Sequence, residues 1–127
     1  MRKSVLLLLV SCFLLIGRVT AQDVEPLVIG LMVDQSGALT IYGFEEEYGF
    51  KLGLLYAAGV NPAAYDNDID AAMAEVTIAG RPVEVVVRDN ASDAEKAASQ
   101  ARELIEQEGA EILVGSPSSG VMTGVQQ

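Results

Sequence analysis

The sequence contains no histidine and no tryptophan, and its one cysteine is Cys12. Aromatics are few, three phenylalanines and four tyrosines, and eight lysines and arginines face 18 aspartates and glutamates. Each shortage excludes something. Without histidine, and with a single thiol, neither a Ser-His-Asp or Cys-His nucleophile system nor a Cys/His zinc site can be assembled. Three of the cations (Arg2, Lys3 and Arg18) fall in the first 21 residues, which hold no acid, so the remainder sets five cations against 18 anions. Such a balance repels phosphate backbones and anionic lipid, and nucleic acid is not an expected partner. No G-x-x-x-x-G-K-[ST] phosphate loop occurs. What remains is a 127-residue chain, half hydrophobic, with a mean hydropathy of +0.32. That is one domain's length, and the composition is that of a folded chain.

The amino terminus reads as an address. Arg2 and Lys3 form a basic start, and Val5 to Gly17 is an uncharged, mostly apolar run of 13 residues. This is short of the ~20 needed to cross a bilayer but suits a secretory leader. Val19-Thr20-Ala21 supplies small residues where signal peptidase reads them, which places the cut after Ala21 and makes residues 1–21 the leader. A periplasmic or other extracytoplasmic location is expected. Leu9-Val10-Ser11-Cys12 also matches a lipoprotein pattern, so a lipid anchor on Cys12 is the alternative route, although apolar Phe13 to Ile16 follows it instead of a polar tether. Cleavage after Ala21 leaves a mature chain without cysteine and without disulfides.

Beyond the leader, Leu27 to Val33 is a continuous apolar run that predicts a strand buried on both faces. Residues 34–43 read as a loop, followed by a helix over about 44–58 with an apolar stripe of Phe44, Tyr48, Leu52, Leu55 and Tyr56. Glu45, Glu46 and Glu47 are expected in its first turn, where the helix dipole favours acids. Gly49 and Gly53 predict close packing of this helix on a sheet. Residues 60–75 are the least regular; Asp66, Asp68 and Asp70 imitate half of a calcium loop, but Ala71 and Thr77 stand where Gly and Glu are required, so a solvated acidic loop is expected. Val83 to Val87 predicts a second strand. Ser92-x-x-Glu95 is a capping box for a helix burying Ala94, Ala97, Ala98, Ala101, Leu104 and Ile105, with Gly109 as its stop and Arg102–Glu106 as an exposed pair. Ile112 to Val114 predicts a third strand running into Gly115-Ser116-Pro117-Ser118-Ser119-Gly120 and a last helix.

The order β-α-β-α-β-α predicts an α/β fold, a three-layer parallel sheet with flanking helices. Ligands in such sheets sit beyond the carboxyl ends of the strands, so the loops 34–43, 89–92 and 115–120 are the candidates. The first lacks the spacing of a dinucleotide fingerprint, and Gln35 interrupts an aspartic-protease Asp-Ser/Thr-Gly. No catalytic constellation is left, no cofactor or metal is expected, and an enzyme is disfavoured. Ser118 and Ser119 precede a helix start, where free N–H groups receive an anion or where a serine simply caps the helix; residue types alone favour the cap.

Three stretches together, IGLMVDQSGALTIYG, YGFKLGLLYAAG and GRPVEVVVRDNASDAEKAASQARELIEQEGAEILVGSPSSG, resemble the type I periplasmic binding proteins, and within them the branched-chain amino-acid (leucine-binding) branch. The resemblance covers most of residues 27–124. It implies two α/β lobes closing on a small solute and delivery of that solute to the permease of an ABC importer, with a monomer as the complete form. By the same resemblance residues 22–127 are a partial first lobe, Tyr42 is the aromatic at the cleft edge, Ser119 holds the carboxylate of an amino acid, and Pro117 and Ser118 line the same turn. Residues 60–79 depart from the pattern by their length. The same fold also serves as the ligand-sensing ectodomain of signalling receptors, which is the alternative function.

Overall fold

The computed structural model describes residues 24–126; the expected leader over 1–21, and with it Cys12, lies outside them. The apolar run becomes the central strand β1, Leu27–Val33, with six of its seven residues buried. It pairs in parallel on both sides, with β3 (Arg81–Asp89) from Leu27↔Val83 to Val33↔Asp89 and with β4 (Ile112–Gly115) from Ile29↔Ile112 to Met32↔Gly115. A two-residue strand β2, Thr77–Ile78, adds antiparallel to the start of β3, so the sheet is mixed and runs β2-β3-β1-β4. β2 was not expected. Its two-residue turn has Ala79 and Gly80 both at positive φ, 52° and 80°, and an alanine in the first of those positions is a poor turn signal.

Helices cover both faces. On one, Val28 and Met32 of β1 pack with Ala101 and Leu104 of α3 (Ala94–Glu106) and with Ala110, flanked by residues of α4 (Ser119–Val125). On the other, Leu55 of α1 (Thr40–Ala58) packs with Ala72 and Met73 of α2 (Ile69–Met73) and with Val76, against Val83 and Val85 of β3. Each of the larger buried side chains, valine, leucine or methionine, contributes about 1.5–3 kcal/mol relative to exposure.

Several local expectations are corrected. The first helix begins at Thr40, not 44, because Gly43 lets its first turn lie directly on the end of β1; a Cβ there would stand 2.2 Å from the Asp34 carbonyl oxygen. Glu45 to Glu47 therefore miss the first turn, which holds no acid. Of the expected stripe only Leu55 is buried; Phe44, Tyr48, Leu52 and Tyr56 are exposed, Tyr56 at 87%. The helix is apolar on every side, so spacing could not say which side faces the core. Gly49 and Gly53 have no atom within 4 Å of where a Cβ would be, so they do not mediate close packing. Gly49→Ala and Gly53→Ala are accordingly expected to raise stability by about 0.5–1 kcal/mol each, through helix propensity alone. A urea midpoint that falls in either variant would reveal a neighbour to those positions.

Residues 60–76 are more than a solvated loop. A 3-10 turn, Pro62–Tyr65, is capped by Asn61, and the Asp68 carboxylate caps α2 by accepting from Ala71 N at 3.0 Å. Asp70 pairs with Lys51 at 2.8 Å. Helix α3 is capped by Asp93, which accepts from Lys96 N at 2.7 Å, and not by Ser92, whose hydroxyl is engaged elsewhere. It buries Ala97, Ala101 and Leu104, whereas Ile105 is exposed and Ala94 and Ala98 are half-buried. Arg88, not Arg102, supplies its ion pair, at 3.6 Å from Glu103, and also meets Glu108. The helix ends at Glu106 with Gln107 as its cap, and Gly109 at φ 70° turns the chain towards β4.

Candidate functional site

Strands β1, β3 and β4 end side by side, and the loops that leave their carboxyl ends are held by a few polar side chains. Asp34, the first residue after β1, is fully buried. Its carboxylate accepts from Ser92 Oγ at 2.6 Å and from Ser116 Oγ at 2.8 Å, so one side chain links the loops after all three strands. Gly115, which ends β4, lies so close to β1 that a Cβ would stand 2.0 Å from the Met32 carbonyl oxygen, and its φ is +116°.

Asp89 makes a second junction. Its Oδ1 accepts from the N–H groups of Gln35 (2.9 Å), Ser36 (3.1 Å) and Ala91 (2.9 Å), and its Oδ2 accepts from Ser36 Oγ at 2.6 Å and Lys96 Nζ at 3.4 Å. Partial burial pushes its carboxyl upward, but the Ser36 hydroxyl, the Ala91 and Ser36 N–H groups and the Lys96 charge outweigh this and hold it well below the ordinary carboxylate range. A carboxyl lowered on folding stabilises the native state above its unfolded value, near pH 4, and that stabilisation is lost as pH falls through the folded value. Urea midpoints at pH 7 and pH 3 should therefore differ less in Asp89→Asn than in the parent, with the variant weaker at pH 7. An equal pH dependence in the two proteins would contradict this assignment.

The segment after Asp89 is strained. Ala91 and Ser92 both adopt left-handed φ, 53° and 59°, at a cost on the order of 1–3 kcal/mol each. The Asn90 side chain offsets part of it by accepting from Ser92 N at 2.8 Å. Glu46, on the second turn of α1, has one buried carboxylate oxygen without a partner. Burial, and after it the negative charge of Asp34, raises its carboxyl above the ordinary range.

The four residues expected at a site all lie at this end of the sheet. Tyr42 stands in the first turn of α1 with 56% of its surface exposed. Pro117 and Ser119 are exposed and Ser118 is half-buried, in the turn after β4. The structure separates the two serines. Ser118 caps α4, its Oγ accepting from Val121 N at 3.3 Å, while Ser119 is the first helical residue and its carbonyl, not its hydroxyl, is engaged, by Thr123 Oγ1. Sequence reasoning missed Asp34, Asp89, Ser92 and Ser116 as site-building residues. Asp34 and Asp89 were legible as acids ending apolar strands, but their serine partners sit tens of residues away and leave no local trace. An apolar groove lined by Leu52, Tyr56, Val60 and Pro62 occupies the opposite end of α1, away from these loops. Among the described residues no group of His, Cys, Asp and Glu is arranged to hold a metal ion, and no helix is long and apolar enough to cross a membrane.

The family model for periplasmic binding protein matches residues 26–127. The chain belongs to the periplasmic binding protein family. No curated protein sequence matches it. Among solved structures it is similar to the branched-chain amino acid transporter substrate-binding protein LivJ of Streptococcus pneumoniae, in complex with isoleucine. There the identity is 30% and the TM-score 0.60, over 80% of this chain and 25% of that one. It is also similar to an amino acid ABC transporter substrate-binding protein of Pseudomonas fluorescens, at 26% identity and a TM-score of 0.62 over 82% and 23% of the two chains. A third is an ABC transporter solute-binding protein of Rhodopseudomonas palustris, in complex with benzoate, at 25% identity and a TM-score of 0.60 over 80% and 23%. This chain thus spans about a quarter of the length of the solved proteins it matches. The mixed four-stranded sheet with flanking helices corresponds to part of a lobe of the type I periplasmic binding protein fold, and the family's members are substrate-binding proteins.

Proposed function

We propose that this protein is an extracytoplasmic solute receptor that binds an amino acid or a related small polar solute and delivers it to the permease of an ABC importer, without catalysing a reaction. In this reading residues 1–21 are a secretory leader and residues 22–127 form part of a first lobe, the solute lying between it and a second. The observation that carries the proposal is the match over residues 26–127 to a family of binding proteins, with neighbours solved around isoleucine and benzoate. The loop cluster supports it. Three strand ends converge, a free serine hydroxyl (Ser119) and an exposed aromatic ring (Tyr42) lie on the elements that follow, and the polar groups between them are tied down. Such a surface offers donors to a carboxylate and apolar area to a side chain.

Calorimetry on the complete protein with a panel of L-amino acids and their amino-alcohol analogues tests this. Amino acids should bind, and analogues lacking the carboxylate should bind much more weakly. Equal binding of both sets would refute a carboxylate contact, and no binding by any member would refute an amino-acid receptor.

A further inference from the structure

Asp34 occupies a position where an apolar residue would be usual: directly after a buried strand, and itself fully buried. Each carboxylate oxygen takes one hydroxyl, Oδ1 that of Ser92 and Oδ2 that of Ser116. A hydroxyl whose proton is committed to a carboxylate presents its lone pairs elsewhere. Both serines use them. Ser92 Oγ accepts from Leu39 N at 3.3 Å, immediately ahead of α1, and Ser116 Oγ accepts from Ser118 N at 3.2 Å, immediately ahead of α4. One carboxylate thereby fixes, through two serine relays, the backbone at the entrances to α1 and α4. Those are the elements that carry Tyr42 and Ser119.

We propose that Asp34 is the positioning residue of the solute face, setting through Ser92 and Ser116 the placement of the helix starts that carry the solute contacts. The proposal rests on the solute-binding reading above. A carboxylate suits this role because both neighbours are donors and it offers only acceptors. Asparagine has nearly the same shape but carries an acceptor oxygen on one arm and a donor NH2 on the other. One of the two serines must then turn its proton away and accept from the amide, and that second donor competes with Leu39 N or Ser118 N for the hydroxyl oxygen. Alanine removes both acceptors and leaves a cavity.

The test compares the complete protein with Asp34→Asn and Asp34→Ala. Solute affinity is measured by calorimetry with the amino-acid panel, and amide hydrogen exchange at Leu39 and Ser118 is measured without solute. Asp34→Asn should unfold cooperatively, exchange faster at one or both amides, and bind every amino acid that the parent binds roughly tenfold more weakly. A side chain that merely fills space would be rescued by asparagine and not by alanine. Unchanged affinity in Asp34→Asn, or unchanged exchange at both amides, overturns the proposal. If Asp34→Asn does not fold, Ser92→Ala removes one relay alone: faster exchange at Leu39 with weaker binding supports the proposal, and parental affinity overturns it. A parent that binds no solute in the panel refutes the receptor reading itself and the positioning role with it. That outcome is distinct from a binding parent whose variants bind equally well.

Discussion

Gly115→Ala should lose about 3 kcal/mol or more of stability, the largest effect expected of a methyl group added at any of the described glycines. The methyl would be built 2.0 Å from the Met32 carbonyl oxygen and 2.8 Å from its carbon, inside the ladder between β4 and β1, where neither backbone can retreat without breaking the register Met32↔Gly115. The residue's φ of +116° adds a second penalty, since side chains with a Cβ rarely adopt it. Gly120→Ala is the internal control. There the nearest atom is Ser118 Oγ at 3.8 Å, an ordinary contact inside a helix, and stability should hold or rise. Urea denaturation of the two variants beside the parent decides the matter; a Gly115→Ala midpoint equal to the parent's would show that β4 and β1 leave room for a methyl group between Gly115 and Met32.

Ser119→Ala should weaken binding of every amino acid by roughly 10- to 150-fold, the loss of one charge-assisted hydrogen bond of ~1.5–3 kcal/mol. The carboxylate is common to all amino acids, so the loss should be similar across the panel. Tyr42→Ala should instead reorder the panel, because an exposed ring offers area to side chains and not charge. The division of labour between the two serines makes the experiment selective. Ser118 caps α4, so Ser118→Ala should cost ~1 kcal/mol of stability, whereas Ser119→Ala should leave the urea midpoint in place. If Ser119→Ala binds every amino acid as tightly as the parent, its hydroxyl is not a solute contact.

The layout of the fold was legible because its strongest signals are local. Leu27–Val33 states its burial by an unbroken apolar run, and the Ala97, Ala101, Leu104 face states its own by helical spacing. Helix α1 defeated the same reasoning because it is apolar all round, and its inward side was decided by Gly43 against Asp34, a contact that spacing does not encode. The β2–β3 hairpin was hidden by Ala79 in a turn position where asparagine or glycine would have announced it. At the site, Tyr42 and Pro117 were singled out by a resemblance, Ser118 and Ser119 also by the helix start they precede, and which serine caps the helix could only come from geometry. The scaffold beneath them joins Asp34 to Ser92 and Ser116, which lie 58 and 82 residues further along; no local pattern carries such a pairing.

The central strand also bears on how the chain comes to be folded. β1 is synthesised first of the strands, yet both of its neighbours come late: β3 more than fifty residues on, β4 more than eighty. Neither edge of β1 has a hairpin partner nearby, so no local contact can hold it while loop-closure entropy opposes the distant ones, and slow folding follows. Until residue 115 is available, an uncharged stretch of seven residues, Leu-Val-Ile-Gly-Leu-Met-Val, has no complete set of partners. Short segments of that composition pair with copies of themselves when left exposed. The strand that ends as the best-protected part of the sheet is, during biogenesis, the part most in need of a chaperone.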